Sequence, residues 1–361
     1  MYAIVAKWVT CLSRTATCGL LLLLTAAAAQ AAPFAYITNQ IGSTVSVIDT
    51  ASNSVIATIP VGTTPVGVAV NPAGTRVYVS NVNSNNVSVL DAASNTVVAT
   101  VSSLSHPEGL AINPAGTRVY VATPGTNNVS VIDTASNTVV ATVPGLATPI
   151  GVAVNPTGTR VYVTDSFTNT VAVIDTVSNT VIAAPAVGSI PRHVAVNPAG
   201  TRVYVSNYNT GYVSVLDAAS NTVVATISPL ALPVGLAINS AGTRIYVATS
   251  NTNSVSVIDA ASNAIIASVP VGLSPSGVSV NPAGTRVYVA NSDSNNVSVI
   301  DTASNAVVAT VSVGIQPRPL GVFVGPAVAP APVPSLGDWQ TVCLILLISG
   351  AAWFAYRRTK F

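Results

Sequence analysis

One spacing constrains this chain above all else. Tyrosine recurs at Tyr36, Tyr78, Tyr120, Tyr162, Tyr204, Tyr246 and Tyr288, every step being 42 residues. Aspartate recurs at Asp49, Asp91, Asp133, Asp175, Asp217, Asp259 and Asp301 with the same step. The stretch from Ala32 to Gly325 holds 294 residues, seven times 42. One unit reads as four short strands. Gly67–Val70 is apolar and is followed by the turn Asn71-Pro72-Ala73-Gly74-Thr75, with Pro at its first central position. Arg76–Ser80 is a second strand rich in Val and Tyr, Val87–Leu90 a third, and Val97–Val101 a fourth. A tight turn, Asp91-Ala92-Ala93-Ser94-Asn95, separates the last two, and Asn95 suits a left-handed backbone. No segment of this body carries a helical period.

A repeat of 40 to 45 residues built only from strands marks a blade of a β-propeller. The ends of the array predict how it closes. The body opens at Phe34-Ala35-Tyr36-Ile37, which aligns with a second strand. It finishes at Leu320-Gly321-Val322-Phe323-Val324, which aligns with a first strand. Six whole units and one split unit therefore make an all-β, seven-bladed ring of four-stranded blades. The C-terminal first strand pairs with the N-terminal strands and removes the free edges. The alternative, an open stack, would need capping units that the sequence lacks. All three cysteines lie outside the body, at Cys11, Cys18 and Cys343, so closure and core have to hold it without disulfides.

The flanks read differently. Residues 1–31 have Lys7, Arg14, an apolar core at Leu20–Leu24 and Ala29-Gln30-Ala31 as a small-x-small site, the pattern of a signal peptide. An uncleaved membrane helix is the alternative. Cys18 precedes the apolar core, which argues against a lipid anchor. Residues 326–334 form a Pro-rich spacer. Residues 335–361 contain an apolar run that is long enough as a helix to cross a bilayer, and they end in Arg357, Arg358 and Lys360. The basic end places that terminus in the cytoplasm and the body outside.

The strings Tyr36-Ile37-Thr38-Asn39, Tyr78-Val79-Ser80-Asn81, Tyr162-Val163-Thr164-Asp165 and Tyr288-Val289-Ala290-Asn291 resemble the YVTN family of β-propeller repeats. The resemblance covers the whole body and implies a fold found in exported and surface proteins, with no single activity attached. The tail resembles the IPTL-CTERM sorting signal of Gram-negative bacteria. Val-Pro-Ser-Leu-Gly-Asp-Trp stands for Ile-Pro-Thr-Leu-Ser-Glu-Trp, with Pro334, Leu336 and Trp339 matching and Arg357 and Arg358 closing the signal. That resemblance implies an exosortase-type enzyme as a partner, which removes the tail during surface sorting. A permanent single-pass anchor is the plainer alternative.

Within the body the charges fall into two sets. Arg76, Arg118, Arg160, Arg202, Arg244 and Arg286 start second strands, and Asp91, Asp133, Asp175, Asp217, Asp259 and Asp301 end third strands. Pairing Tyr78 with Val89 sets Arg76 opposite Asp91, so these are expected to be cross-strand ion pairs. A ring of aspartates serving a ligand is the sharper alternative. Asp49 has Phe34 where its arginine belongs. The second set departs from the repeat: His106, Glu108, Asp165, Arg192, His193, Asp293 and Arg318. All are expected in loops on one face, opposite the Arg/Asp pairs, with Phe167, Tyr208 and Tyr212. They are the candidate ligand-binding residues, and drift in solvent-facing loops is the plain alternative.

The body has eight Arg, no Lys and ten acidic groups, which lacks the footprint of a nucleic-acid binder. Two His and no Met or Cys give little for a metal or haem, so no metal, cofactor or catalytic residue is assigned. The favoured reading is a monomeric, exported, non-enzymatic propeller that binds or displays itself to a surface protein or an extracellular polysaccharide. A lactonase-like hydrolase is the alternative, with His193 or Glu108 as base and Arg192 holding the oxyanion.

Overall fold

The structure, a computed structural model, describes residues 33–326. The expected signal peptide, the spacer beyond Pro326 and the tail with its sorting motif lie outside the described residues. The described chain is all-β, with twenty-seven strands and no helix. The strands form six four-stranded sheets and one three-stranded sheet, each a meander of consecutive strands. The three-stranded sheet contains β1 (Phe34–Asn39), β2 (Thr44–Asp49) and β3 (Ser54–Pro60). The first whole blade contains β4 (Pro65–Val70), β5 (Arg76–Asn81), β6 (Asn86–Asp91) and β7 (Thr96–Val101).

Burial explains why these strands do not alternate apolar and polar. In β5 and β6 every residue between the ends is buried, on both faces, whereas most of β7 is exposed. The two middle strands of a blade are sandwiched between neighbouring blades, so they read as continuous apolar runs. The repeated tyrosine packs there; Tyr78 sits opposite Val89 and is 2% exposed. Between the third and fourth strands the register slips at the same place in blade after blade, at Val89/Leu90 in β6. Such a bulge adds twist, which lets successive blades fan around an axis.

The turns explain most of the remaining conservation between units. Gly74, Gly116, Gly158, Gly200, Gly242 and Gly284 hold φ between +69° and +72°, where a side chain would be strained. The asparagine that opens each of these turns closes it, as Asn71 Oδ1 accepts from Arg76 N at 2.9 Å. The second turn type is built by aspartate. Asp91 Oδ1 accepts from Ala93 N at 3.1 Å and from Ser94 N at 2.8 Å, and Asn95 takes a φ of +52°. These N–H groups, Ser94's first, pull the Asp91 carboxyl below its usual range, and Arg76 adds to them.

The outer carboxylate oxygen meets arginine in five blades: Arg76–Asp91, Arg118–Asp133, Arg202–Asp217, Arg244–Asp259 and Arg286–Asp301. The expected Arg160–Asp175 pair is not among them. Those residues are opposite in register, but Arg160 Nη1 donates instead to the Ala218 carbonyl of the next blade, at 2.6 Å. An exposed ion pair is worth only about 0–1 kcal/mol, so a backbone acceptor competes on level terms.

The chain's last described segment completes the three-stranded sheet. Gln40 N donates to Gln316 O (2.9 Å), Arg318 N to Thr38 O (2.9 Å), Tyr36 N to Phe323 O (2.9 Å) and Gly325 N to Phe34 O (3.1 Å). Antiparallel bridges join Asn39 to Pro317 and Ala35 to Val324. The segment is an interrupted strand, because Pro319 has no N–H and Gly321 takes a φ of +122°. Its other edge meets the next blade, with Leu320 N on Val66 O and Val68 N on Leu320 O, each 3.0 Å. Seven blades are thus closed into a ring. The Asn-Pro and Asp turns share one face, here the turn face, and the longer connections share the other, the loop face. Both described ends lie at the turn face: Pro33 O accepts from Thr50 N (3.3 Å), and Pro326 lines the same cavity as Pro72 and Pro198.

Phe323 is fully buried in the core that joins the first and last blades. Phe323→Ala is expected to lower unfolding free energy by about 3–5 kcal/mol in urea titration, whereas Val322→Ala, at a side chain 63% exposed, should change it by less than about 0.5 kcal/mol. Asp91→Ala, which removes the turn acceptor, should cost about 1–3 kcal/mol. Asp91→Asn, which keeps an oxygen there, and Arg76→Ala should each cost less than about 1 kcal/mol.

Candidate functional site

The innermost strand of each blade runs beside the axis, and there the blades approach one another closely. A Cβ on Gly67 would sit 2.2 Å from Glu108 O, and one on Gly235 would sit 2.2 Å from Ser276 O. At these glycines the neighbour's backbone occupies that space, whereas His193 and Pro319 hold the equivalent positions in the other two steps of the ring. Hydroxyls from the adjacent second strands tie the same backbone. Thr38 Oγ1 donates to Val66 O (3.0 Å), Thr164 Oγ1 to Arg192 O (3.2 Å) and Ser206 Oγ to Val234 O (2.6 Å), and Ser80 Oγ donates to Glu108 O.

The residue before each such position projects toward the axis on the loop face. These are Val66, Glu108, Ile150, Arg192, Val234, Ser276 and Arg318, one per blade at steps of 42, and all seven line one narrow space of about 20 Å³. Four are small or apolar. The other three are the only ionisable members, and they are distributed around the ring: two steps from Glu108 to Arg192, three from Arg192 to Arg318, two back to Glu108. Between the two arginines, above Val234 and Ser276, the space widens into a cleft of about 230 Å³ that also takes in Tyr208, Ser250, Ser274 and Ser292. The Arg192 guanidinium lies over the Tyr208 ring, 5.4 Å from its centroid.

Burial pushes the Glu108 carboxyl up from its usual range, while Arg318 first and Arg192 next pull it back. Burial, then the charge of Arg318, lowers Arg192, while Glu108 opposes that. Arg192 and Arg318 differ from the other six arginines of the described chain in one respect. Five of those six donate to aspartates and Arg160 to a carbonyl. Among the described residues, neither the Arg192 nor the Arg318 guanidinium has a protein acceptor within hydrogen-bond reach.

The other sequence candidates lie elsewhere. Arg192 and His193 belong to the strand Pro191–Val196, not to a loop before it, and Arg318 belongs to the closing segment. His193, although adjacent to Arg192, is only 6% exposed and lines a separate apolar cavity of about 380 Å³ below the mouth, with Leu110, Val152, Leu236 and Val278. Neighbouring side chains on a strand point to opposite sides. Its Nδ1 accepts from Leu236 N at 3.4 Å. Asp165 is 3% exposed and clamps two connections, accepting from Ala147 N (2.6 Å), Thr148 N (3.0 Å), Phe167 N and Thr168 N (3.3 Å each). It occupies the register of Asn39, Asn81, Asn207 and Asn291, so it belongs to the repeat. Asp293 is exposed at the rim and accepts from Ser274 Oγ. His106 is exposed, with a φ of +50°, and its N donates to Asn85 Oδ1 at 2.9 Å. The serines of the cleft escape a search for unusual charges because they have none. Among the described residues no three His, Cys, Asp or Glu side chains cluster as a metal site.

Desolvation pushes His193 down to about 4 from 6.5. Below pH 6.5 the unfolded chain binds a proton that the folded chain excludes until about pH 4. His193 therefore adds stability above 6.5 that is lost as pH falls through that window. Thermal denaturation is expected to show a decline of up to about 3 kcal/mol across it, absent in His193→Gly. The turn aspartates, lowered from 3.8, act only at lower pH.

Among solved structures the chain is similar to hydrazine synthase of Kuenenia stuttgartiensis, at 26% identity over 74% of this chain and 92% of that one, with a TM-score of 0.69. A functionally unknown protein from Desulfotomaculum acetoxidans DSM 771 aligns at 18% identity over 81% and 99%, with a TM-score of 0.71. Dihydro-heme d1 dehydrogenase NirN, solved in complex with DHE, aligns at 16% identity over 78% of this chain and 63% of that one, with a TM-score of 0.59. The last two likenesses show the fold alone. No curated protein matches the chain in sequence. Residues 4–327 match the YNCE-like beta-propeller family, and with the ring of seven repeated blades this makes the chain a member of that family.

Proposed function

We propose that this protein is an exported, non-enzymatic propeller, sorted to the cell surface by its C-terminal signal, that acts as a binding and display module for a glycan or a protein. One observation carries the reading. Both described chain ends leave from the turn face, while Glu108, Arg192 and Arg318 converge on the loop face. A tether joined at Pro326 would meet the propeller on the face opposite the charged mouth. A Pro-rich spacer, an apolar run and a basic end follow Pro326 in sequence, the order that a surface anchor or sorting tail requires. Repeated blades supply a rigid platform, and the departures from the repeat at the mouth supply the recognition.

Two of the structural neighbours are named as enzymes, hydrazine synthase and NirN. A lactonase-like site here would need a base beside Arg192. His193 lines the lower cavity instead, which leaves Glu108 as the sole carboxylate on the ring. The binding reading uses all three ring charges and asks no proton transfer of them.

Fractionation of cells that naturally make this protein tests the proposal. Protease added to intact cells is expected to degrade the full chain, and a chain truncated after Pro334 should appear in the soluble exported fraction or the medium. A full-length protein that stays protease-protected in the cytoplasm would overturn the reading.

A further inference from the structure

The cleft between Arg192 and Arg318 has a chemistry that can be read group by group. Each guanidinium presents a planar fork of N–H donors suited to a carboxylate. Among the described residues neither donates a hydrogen bond to a protein acceptor, and both line the same cleft. Formal charge on the ring is two arginines against one glutamate, a net +1. That balance suits one negative charge better than two, because a dianion would face Glu108 with a charge left over. The serine hydroxyls around the cleft already spend their protons inward. Ser250 Oγ donates to Leu232 O (3.1 Å), Ser292 Oγ to Pro317 O (2.9 Å), Ser276 Oγ to Ala290 O and Pro317 O (3.2 Å each), and Ser274 Oγ to Asp293. What remains on those oxygens is acceptor capacity, and Glu108 adds more on the far side of the ring. A ligand that fills this cleft has one anionic group for the forks and several hydroxyl donors for the serines. The volume, about 230 Å³, lies below the roughly 300–1,000 Å³ of sites for drug-sized ligands, and fits one ring.

We propose that the cleft binds the carboxylate and hydroxyls of a sugar acid, a single uronate ring or the uronate end of a glycan, between Arg192 and Arg318. The proposal rests on the binding-module reading and names its ligand. The carboxylate lies across the two forks above Val234 and Ser276, and the Tyr208 ring under Arg192 fixes the orientation of one fork. The hydroxyls donate to Ser250, Ser274 and Ser292. Neutral sugars lack the group that the arginines require, and leaving both guanidiniums unpaired beneath a bound ring would forfeit the binding.

Isothermal titration of the purified full chain in detergent, at physiological salt, tests this with D-glucuronate, D-glucose and inorganic sulfate. Saturable binding of D-glucuronate and none of D-glucose is expected. Arg192→Gln and Arg318→Gln should each weaken it at least tenfold with the melting temperature unchanged, and Arg76→Gln on the turn face should leave it as in the wild type. If a glutamine variant fails to fold, Arg318→Lys, which keeps the charge and loses the fork, should still weaken binding severalfold. No saturable D-glucuronate binding, equal binding of D-glucose, binding of sulfate alone, or indifference to the Arg192 and Arg318 changes would overturn the proposal. Because the titration is independent of where the protein resides, a negative result with surface display intact removes only the ligand assignment. Binding without surface display removes only the sorting.

Discussion

The pairing of the chain's last described segment with its first strand is the constraint on which the rest of this structure depends. Backbone hydrogen bonds between residues 34–40 and Gln316, Arg318, Phe323 and Gly325 supply the inner strand that the first sheet lacks. They also hold Phe323 in the core shared by the first and last blades. Without them, one blade would present an open edge and a hydrophobic face at each end of the array. With them, no cysteine is required in the body, and the number of blades sets the radius at the axis.

That radius is small, and its consequences reach the site. Backbones of adjacent inner strands come so close that positions 67, 109, 151, 235 and 277 are glycine, each with a neighbour's carbonyl where a Cβ would go. The same closeness brings seven equivalent side chains into one ring. In a perfectly copied unit that ring would be uniform and would recognise nothing in particular. Three departures from the repeat, Glu108, Arg192 and Arg318, give it a charge pattern, and the cleft lies in the longer gap between the arginines. Backbone repetition thus supplies rigidity, and a few side chains at the axis supply the chemistry.

The repeated aspartates show how sequence periodicity misleads about role. Read as a column of charges, they suggest ion pairs with the arginines, and five such pairs exist. Yet the inner carboxylate oxygen is engaged by turn N–H groups in every blade, including that of Asp175, whose arginine has turned to another acceptor, and that of Asp49, which has none opposite. Turn geometry explains all seven aspartates, and pairing with arginine explains five. Asp165 is a similar case. It draws notice as an unusual charge, but it does for its two connections what Asn207 does by accepting from Gly188 N at 3.1 Å.

Strand identity, the two turn types, the number of blades and the split unit were all legible in the amino-acid sequence. They rest on interactions a few residues apart, and the 42-residue copy repeats the same local evidence seven times. Even the closing pair could be read, because its two halves align with different strands of one unit. The site was legible only as far as its face, where Glu108, Arg192 and Arg318 were expected together with His106, Asp165, His193 and Asp293. Arg192 and His193 are neighbours in the chain but line different cavities, while Glu108, Arg192 and Arg318 lie far apart in sequence and meet in one. Which side of an inner strand faces the mouth, and which residues a ring of this radius brings together, depend on packing between blades. Only the closed tertiary structure decides that, because no segment shorter than the whole ring contains the axis.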